Sequence, residues 1–156
     1  MNDFEGKFAQ ILEPVLRSIG GTKRKLPTGW IQPYYMYQLD GGLWFQCSYD
    51  WRDRYFSADI GKAYLFKDVL PRIIIKGNYD DLLSAGTKEG IVKASPMRKK
   101  DDLNLKLELI AQTLPLIIKN YDLLFSLASV ELEKELDRIR PYIIREIEAD
   151  ELLCII

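Results

Sequence analysis

Twelve of the eighteen aromatic residues fall between Trp30 and Phe66, and this concentration limits what the chain can fold into. Trp30 to Leu39, Leu43 to Trp51 and Tyr55 to Leu65 are rich in aromatic and β-branched residues, which suit a pleated surface. Asp40-Gly41-Gly42 between the first two runs is a hairpin signal, because glycine supplies the positive φ of a tight turn. Trp51 to Arg54 forms a second, charged turn. The expectation is a three-stranded antiparallel meander, with Pro33 placing its first strand at an edge or bulge.

Strand alternation divides this segment into two faces. Leu43, Phe45, Cys47, Tyr49 and Trp51 share one, joined by Phe56, Ala58 and Ile60; this apolar set is the expected core. The second face carries Trp44, Gln46, Ser48 and Asp50, then Tyr55, Ser57 and Asp59. A mixed aromatic and acidic surface suits a protein interface, where Trp, Tyr and Arg are favoured anchors. Trp44, Asp50, Arg52, Tyr55 and Asp59 are therefore the candidate protein-binding residues. The sequence leaves open whether this face is exposed or covered by C-terminal helices.

Helical periodicity flanks the sheet. Phe4, Phe8, Ile11, Leu12, Val15, Leu16 and Ile19 recur at three- and four-residue spacing, with Asn2 or Asp3 as cap and Gly20-Gly21 as terminator. Pro14 either kinks this helix or begins a second. Thr22 to Thr28 reads as a basic loop containing Lys23, Arg24 and Lys25. Residues 66–100 are ambiguous: Phe66 to Leu70 suggests a helical turn, Arg72 to Lys76 a fourth strand or a helix, and Tyr79 to Ala85 a helix capped near Asn78. Gly86 to Lys100 reads as a connection with a small strand at Ile91-Val92.

From Asp101 the helical period returns, with Leu103, Leu107, Ile110, Leu114, Ile117, Tyr121 and Leu124 in one stripe. Leu132, Leu136, Ile139, Ile143 and Ile147 form another after a break near Ser126 to Ser129, and Pro115 and Pro141 interrupt the two patterns. The fold class is thus α+β in a single domain, 1–156. Residues 1–100 hold the N-terminal helix and an antiparallel sheet of three to five strands, and residues 101–156 supply helices packed on that sheet.

A chain of 156 residues, 47% hydrophobic, buries roughly 70% of its unfolded surface and needs no covalent staple. Its two cysteines, Cys47 and Cys154, do not make a disulfide framework. No leader-like segment and no run of ~20 apolar residues is present, so a cytoplasmic location without membrane contact is expected. The net charge of −1 conceals +5 over residues 1–100 (16 Lys/Arg, 11 Asp/Glu) and −6 over residues 101–156 (6 and 12). Such a split fits a solvated acidic helical tail.

The chain contains no histidine, which removes the commonest general acid–base and zinc ligand. It has no P-loop and no dinucleotide fingerprint. No catalytic residue, metal site or cofactor is expected. One enzymatic alternative is a metal-dependent nuclease using Asp50 or Asp53 with Asp59 and Lys62. Against it, two residues separate Asp59 from Lys62, which puts them on opposite faces of a regular strand. Lys23-Arg24-Lys25 and Arg98-Lys99-Lys100 offer phosphate contacts, but a pI near 5.6 argues against nucleic acid as the partner.

The opening run Phe8 to Gly21, Trp30, and the pair Trp44-Phe45-Gln46-Cys47-Ser48 and Phe56-Ser57-Ala58-Asp59-Ile60-Gly61 resemble small, uncharacterised bacterial α+β domains. The tail Leu109 to Leu132, with Leu114-Pro115, is similar to theirs as well. Several such domains occur in polymorphic-toxin and immunity neighbourhoods. The resemblance implies no catalytic residues; together with the missing catalytic constellation and the aromatic–acidic face, it leads to the expectation of a non-enzymatic, immunity- or antitoxin-like domain that occludes a protein partner. A self-associating domain, dimeric through Leu152 to Ile156, is a third reading.

Overall fold

The architecture was taken from a computed structural model, which describes residues 3–24, 34–50, 52–67, 71–93, 102–128, 137–138 and 140–146. Helix α1 (Phe4–Ile11) and helix α2 (Glu13–Ser18) lead into strand β1 (Thr22–Arg24). Strands β2 (Tyr34–Gln38), β3 (Trp44–Asp50), β4 (Tyr55–Lys67) and β5 (Pro71–Asn78) follow. Helices α3 (Tyr79–Lys88), α4 (Leu103–Lys119) and α5 (Tyr121–Leu127) precede a short strand, β6 (Ile143–Glu146). The fold is α+β, with all strand pairs antiparallel.

The sheet runs β1-β2-β3-β4-β5 in sequence order. The thirteen residues of β4 outrun β3, whose pairing stops at Gly61. Tyr64 lies opposite Ile74 of β5 on one side and Glu146 of β6 on the other. Strand β6 therefore continues the β4 edge that β3 leaves.

The Asp40–Gly42 turn tightens into one 3₁₀ turn, with Gly41 and Gly42 at φ of 75° and 77°, where a side chain would be strained. The Leu39 amide donates to the Leu43 carbonyl at 2.9 Å to close the hairpin. Pro14 occupies the first turn of α2, where its missing N–H has no helical acceptor to lose. It begins a second helix.

Of the expected core face, Leu43, Phe45, Cys47, Phe56, Ala58 and Ile60 are buried, Tyr49 is half-buried, and Trp51 lies outside the described residues. Phe45, Cys47, Phe56, Ala58 and Ile60 join Phe4, Phe8, Leu12 and Leu16 of α1–α2, Leu82 and Leu83 of α3, and Leu107, Ile110, Leu114 and Ile117 of α4. Helix α1 docks through aromatic pairs: Phe8 stacks on Tyr35 at 4.1 Å and 7°, and Phe4 on Tyr49 at 5.4 Å and 26°. Such pairs add about 0.5–1.5 kcal/mol beyond area burial. Helix α3 is tied to α4 by the buried Tyr79 hydroxyl, 2.6 Å from Thr113 Oγ1. Its start is capped by Asn78, whose side chain accepts from the Asp81 amide, as Asp102 accepts from the Leu105 amide at the start of α4.

Several expectations change. Thr22 to Arg24 is an edge strand rather than loop, paired with Gln38 to Met36. Arg72 to Lys76 is strand, and so are Phe66 and Lys67. Helix α3 runs through Gly86 to Lys88, while Ile91 and Val92 form no strand. Pro115 lies inside a continuous α4 at an exposed position, where water can take the carbonyl its ring frees. The first C-terminal break comes earlier, at Asn120. Ile143 lies in a strand, not a helical stripe: Pro141 sits in a 3₁₀ turn and the chain then pairs with β4. Lys25, Trp30, Pro33, Trp51, 94–100, 129–136, Ile139 and 147–156, with Cys154 and the Leu152 to Ile156 tail, lie outside the described residues.

Candidate functional site

Antiparallel register assigns the second face directly, because residues opposite one another share a face. Arg24 of β1, Met36 and Gln38 of β2, Trp44, Gln46, Ser48 and Asp50 of β3, and Tyr55, Ser57, Asp59 and Gly61 of β4 are brought together. Polar pairs cross it strand by strand. The Arg24 guanidinium donates to Gln38 Oε1, the Gln46 amide donates to Asp59 Oδ2 at 2.9 Å, and the Ser48 and Ser57 hydroxyls pair at 2.9 Å. The first rung is not legible in the sequence, because Thr22-Lys23-Arg24 is uniformly polar and carries no alternation that marks a strand.

The face is not uniform. Met36 and Trp44 are only 4% and 1% exposed, and both lie outside the cluster that joins the helices to the other face. Trp44, expected as a surface anchor, is therefore a buried residue. It sits opposite Gln38 and Gly61, at the end of the sheet away from the β3–β4 turn.

The open part lies at that turn. Tyr55 is 59% exposed and stands directly across from Asp50. Asp50 Oδ1 accepts from the Arg52 amide at 3.0 Å, and the Arg52 Nε lies 3.6 Å from the same oxygen. Arg54 holds φ of 53°, the left-handed conformation that closes the turn. Of the five candidate residues, the structure gathers Asp50, Arg52 and Tyr55. Asp59 stands level with Gln46, four residues along β3 from Asp50, which is about 13 Å at strand rise.

That separation limits the chemistry. One ion contacts carboxylate oxygens at about 2.0–2.6 Å, so Asp50 and Asp59 cannot share one directly. Among the described residues no group of three or more His, Cys, Asp or Glu side chains is placed to hold a metal ion. The Asp59–Lys62 relation also departs from expectation. A register shift sets Asp59 opposite Asn78 and Lys62 opposite Lys76, so three residues of β4 span the length of two in β5, and Asp59 and Lys62 are not related by regular alternation. An extra residue in β4 causes this, as in a β-bulge. Cys47 is buried on the core face, and burial, reinforced by the Asp59 charge, pushes its thiol well above the usual range. A thiol held protonated is a poor nucleophile.

No helix among the described residues is long and apolar enough to cross a membrane. Compared with protein families, curated proteins and solved structures, the chain finds no match.

Proposed function

We propose that this chain is a non-enzymatic protein-binding domain, immunity- or antitoxin-like, that holds a protein partner at the β3–β4 turn. The observation that carries the reading is Tyr55, 59% exposed and set across from the Asp50–Arg52 pair. An amphipathic ring beside a charge pair offers apolar area at small entropic cost with polar groups near it, the make-up of an interface hot spot. Asp50 and Arg52 constrain each other before a partner arrives, which reduces the ordering cost of binding. Asp59 would lie toward the edge of the footprint, and buried Trp44, at the far end of the β3–β4 pair, would lie outside it.

Affinity capture from the native host, with wild-type and Tyr55→Ala chains as baits, tests this. Truncating a hot-spot aromatic costs at least about 2 kcal/mol, or roughly thirtyfold in Kd. Tyr55→Ala is expected to lose that much while Leu105→Ala, another exposed apolar residue on α4, binds as wild type. Recovery of no stable protein partner, or equal binding by both variants, would rule the reading out.

A further inference from the structure

Strand β3 ends at Asp50 and β4 begins at Tyr55. Arg54, the last residue before β4, has φ of 53° and is the one non-glycine residue at positive φ among those described. At that φ glycine meets no steric cost and asparagine little, whereas the Cβ of an arginine crowds the following carbonyl oxygen. A costly backbone conformation kept at a candidate site points to a use for the side chain that sits there.

Among the described residues nothing in the fold offsets that cost. Arg54 is exposed, and its guanidinium has no hydrogen bond or ion pair, whereas Arg52 is held at Asp50. A free guanidinium offers parallel N–H donors that match the two oxygens of a carboxylate or a phosphate. The surroundings favour carboxylate. Asp53, also exposed, adjoins Arg54, and the Arg52 charge is already engaged. A polyanion is bound by several cations acting together, and this turn leaves one uncommitted cation beside an uncommitted carboxylate. One side-chain carboxylate needs one guanidinium.

We infer that Arg54 is a specificity-determining residue of the turn, to which the partner presents an Asp or Glu carboxylate. The inference rests on the reading of the β3–β4 turn as a protein-binding site. A partner without that carboxylate would bury the guanidinium unpaired and be rejected.

The test uses the full chain and the protein that the wild-type bait captures. Arg54→Asn should raise the melting temperature by about 2–4 °C, since asparagine accepts the left-handed backbone, and should weaken binding at least tenfold. Arg54→Lys supplies an amine at the same position. With a water-soluble carbodiimide that amine should become amide-linked to the partner, and mass spectrometry should place the link on an Asp or Glu. If Tyr55→Ala loses binding while Arg54→Asn binds as wild type, the turn stands as the site and the carboxylate inference falls. A partner released by nuclease, no adduct through position 54, or an Arg54→Asn chain less stable than wild type would also overturn it. Wild-type bait that captures no protein removes the site and this inference together.

Discussion

Tyr37 and Tyr79 are both buried core tyrosines, yet their hydroxyls differ. Tyr79 shares a 2.6 Å hydrogen bond with Thr113, whose Oγ1 also donates to the Leu109 carbonyl. Among the described residues the Tyr37 hydroxyl has no partner. A buried polar atom left unpaired costs about 1–3 kcal/mol, whereas a made hydrogen bond contributes about 1 kcal/mol net. Tyr37→Phe should therefore leave stability unchanged or raise it by up to that cost. Tyr79→Phe should lower it by about 1 kcal/mol. Urea unfolding of the two variants under one set of conditions reads the opposite signs. The sequence expectation assigns neither ring to the core: the faces of the first strand are not divided there, and Tyr79 enters only as the start of a helix. It could not report which hydroxyl has a partner, because Thr113 lies 34 residues from Tyr79.

At the scale of elements, the β4–β5 pair is where local preference and pairing conflict. Ile73-Ile74-Ile75 is too short an apolar run to separate strand from helix by period. It becomes strand because β4 extends far enough to pair with it. The pairing requires the shift between Asp59 and Lys62, and Gly77 permits a close approach there. Gly77 has φ of 141°, and a Cβ on it would fall 2.0 Å from the Ile60 carbonyl oxygen. Backbone would have to move, so Gly77→Ala should destabilise by on the order of 3 kcal/mol or more. Gly41→Ala, with open space around it, should cost only the positive-φ penalty of about 1–2 kcal/mol. Thermal unfolding of both variants checks the order; equal losses would mean the close approach at Gly77 is not fixed in the native state.

Across the whole molecule, the aromatic core couples stability to alkaline pH. Burial pushes Tyr35 up to about 12, with the nearby Glu5 charge adding to it. Burial likewise raises Tyr37 to about 12, reinforced by Glu13 and opposed by Arg17, and drives Tyr79 higher than its ordinary value as well. These folded-state values exceed the unfolded value of 10.0, so the folded chain holds the protons more tightly. Their contribution is fully present below about pH 10 and is lost as pH rises through about 12. Melting temperature should change little from these groups up to about pH 9, then fall steadily. Tyrosinate absorbance should show a late group that ionises together with loss of near-ultraviolet dichroism. Nine tyrosines titrating together near pH 10, with the fold intact, would contradict it.

Short-range pattern determined much of this molecule. Period 3.6 located α1, α2 and α4, and period 2 separated Phe45, Cys47, Phe56, Ala58 and Ile60 from Gln46, Ser48, Asp50, Tyr55 and Asp59. The Asp40-Gly41-Gly42 turn set the β2–β3 register, because glycine alone accepts that backbone at little cost. Alternation reports a side chain's face but not what lies above that face, and a strand's sequence does not report which strand lies beside it. Those are properties of contacts between distant segments. Only the tertiary structure buried Trp44 while leaving Tyr55 open, shifted the β4–β5 register between Asp59 and Lys62, and drew Ile143–Glu146 into the sheet. The same long-range pairing made the eight residues of β5 the last strand in the described sheet order.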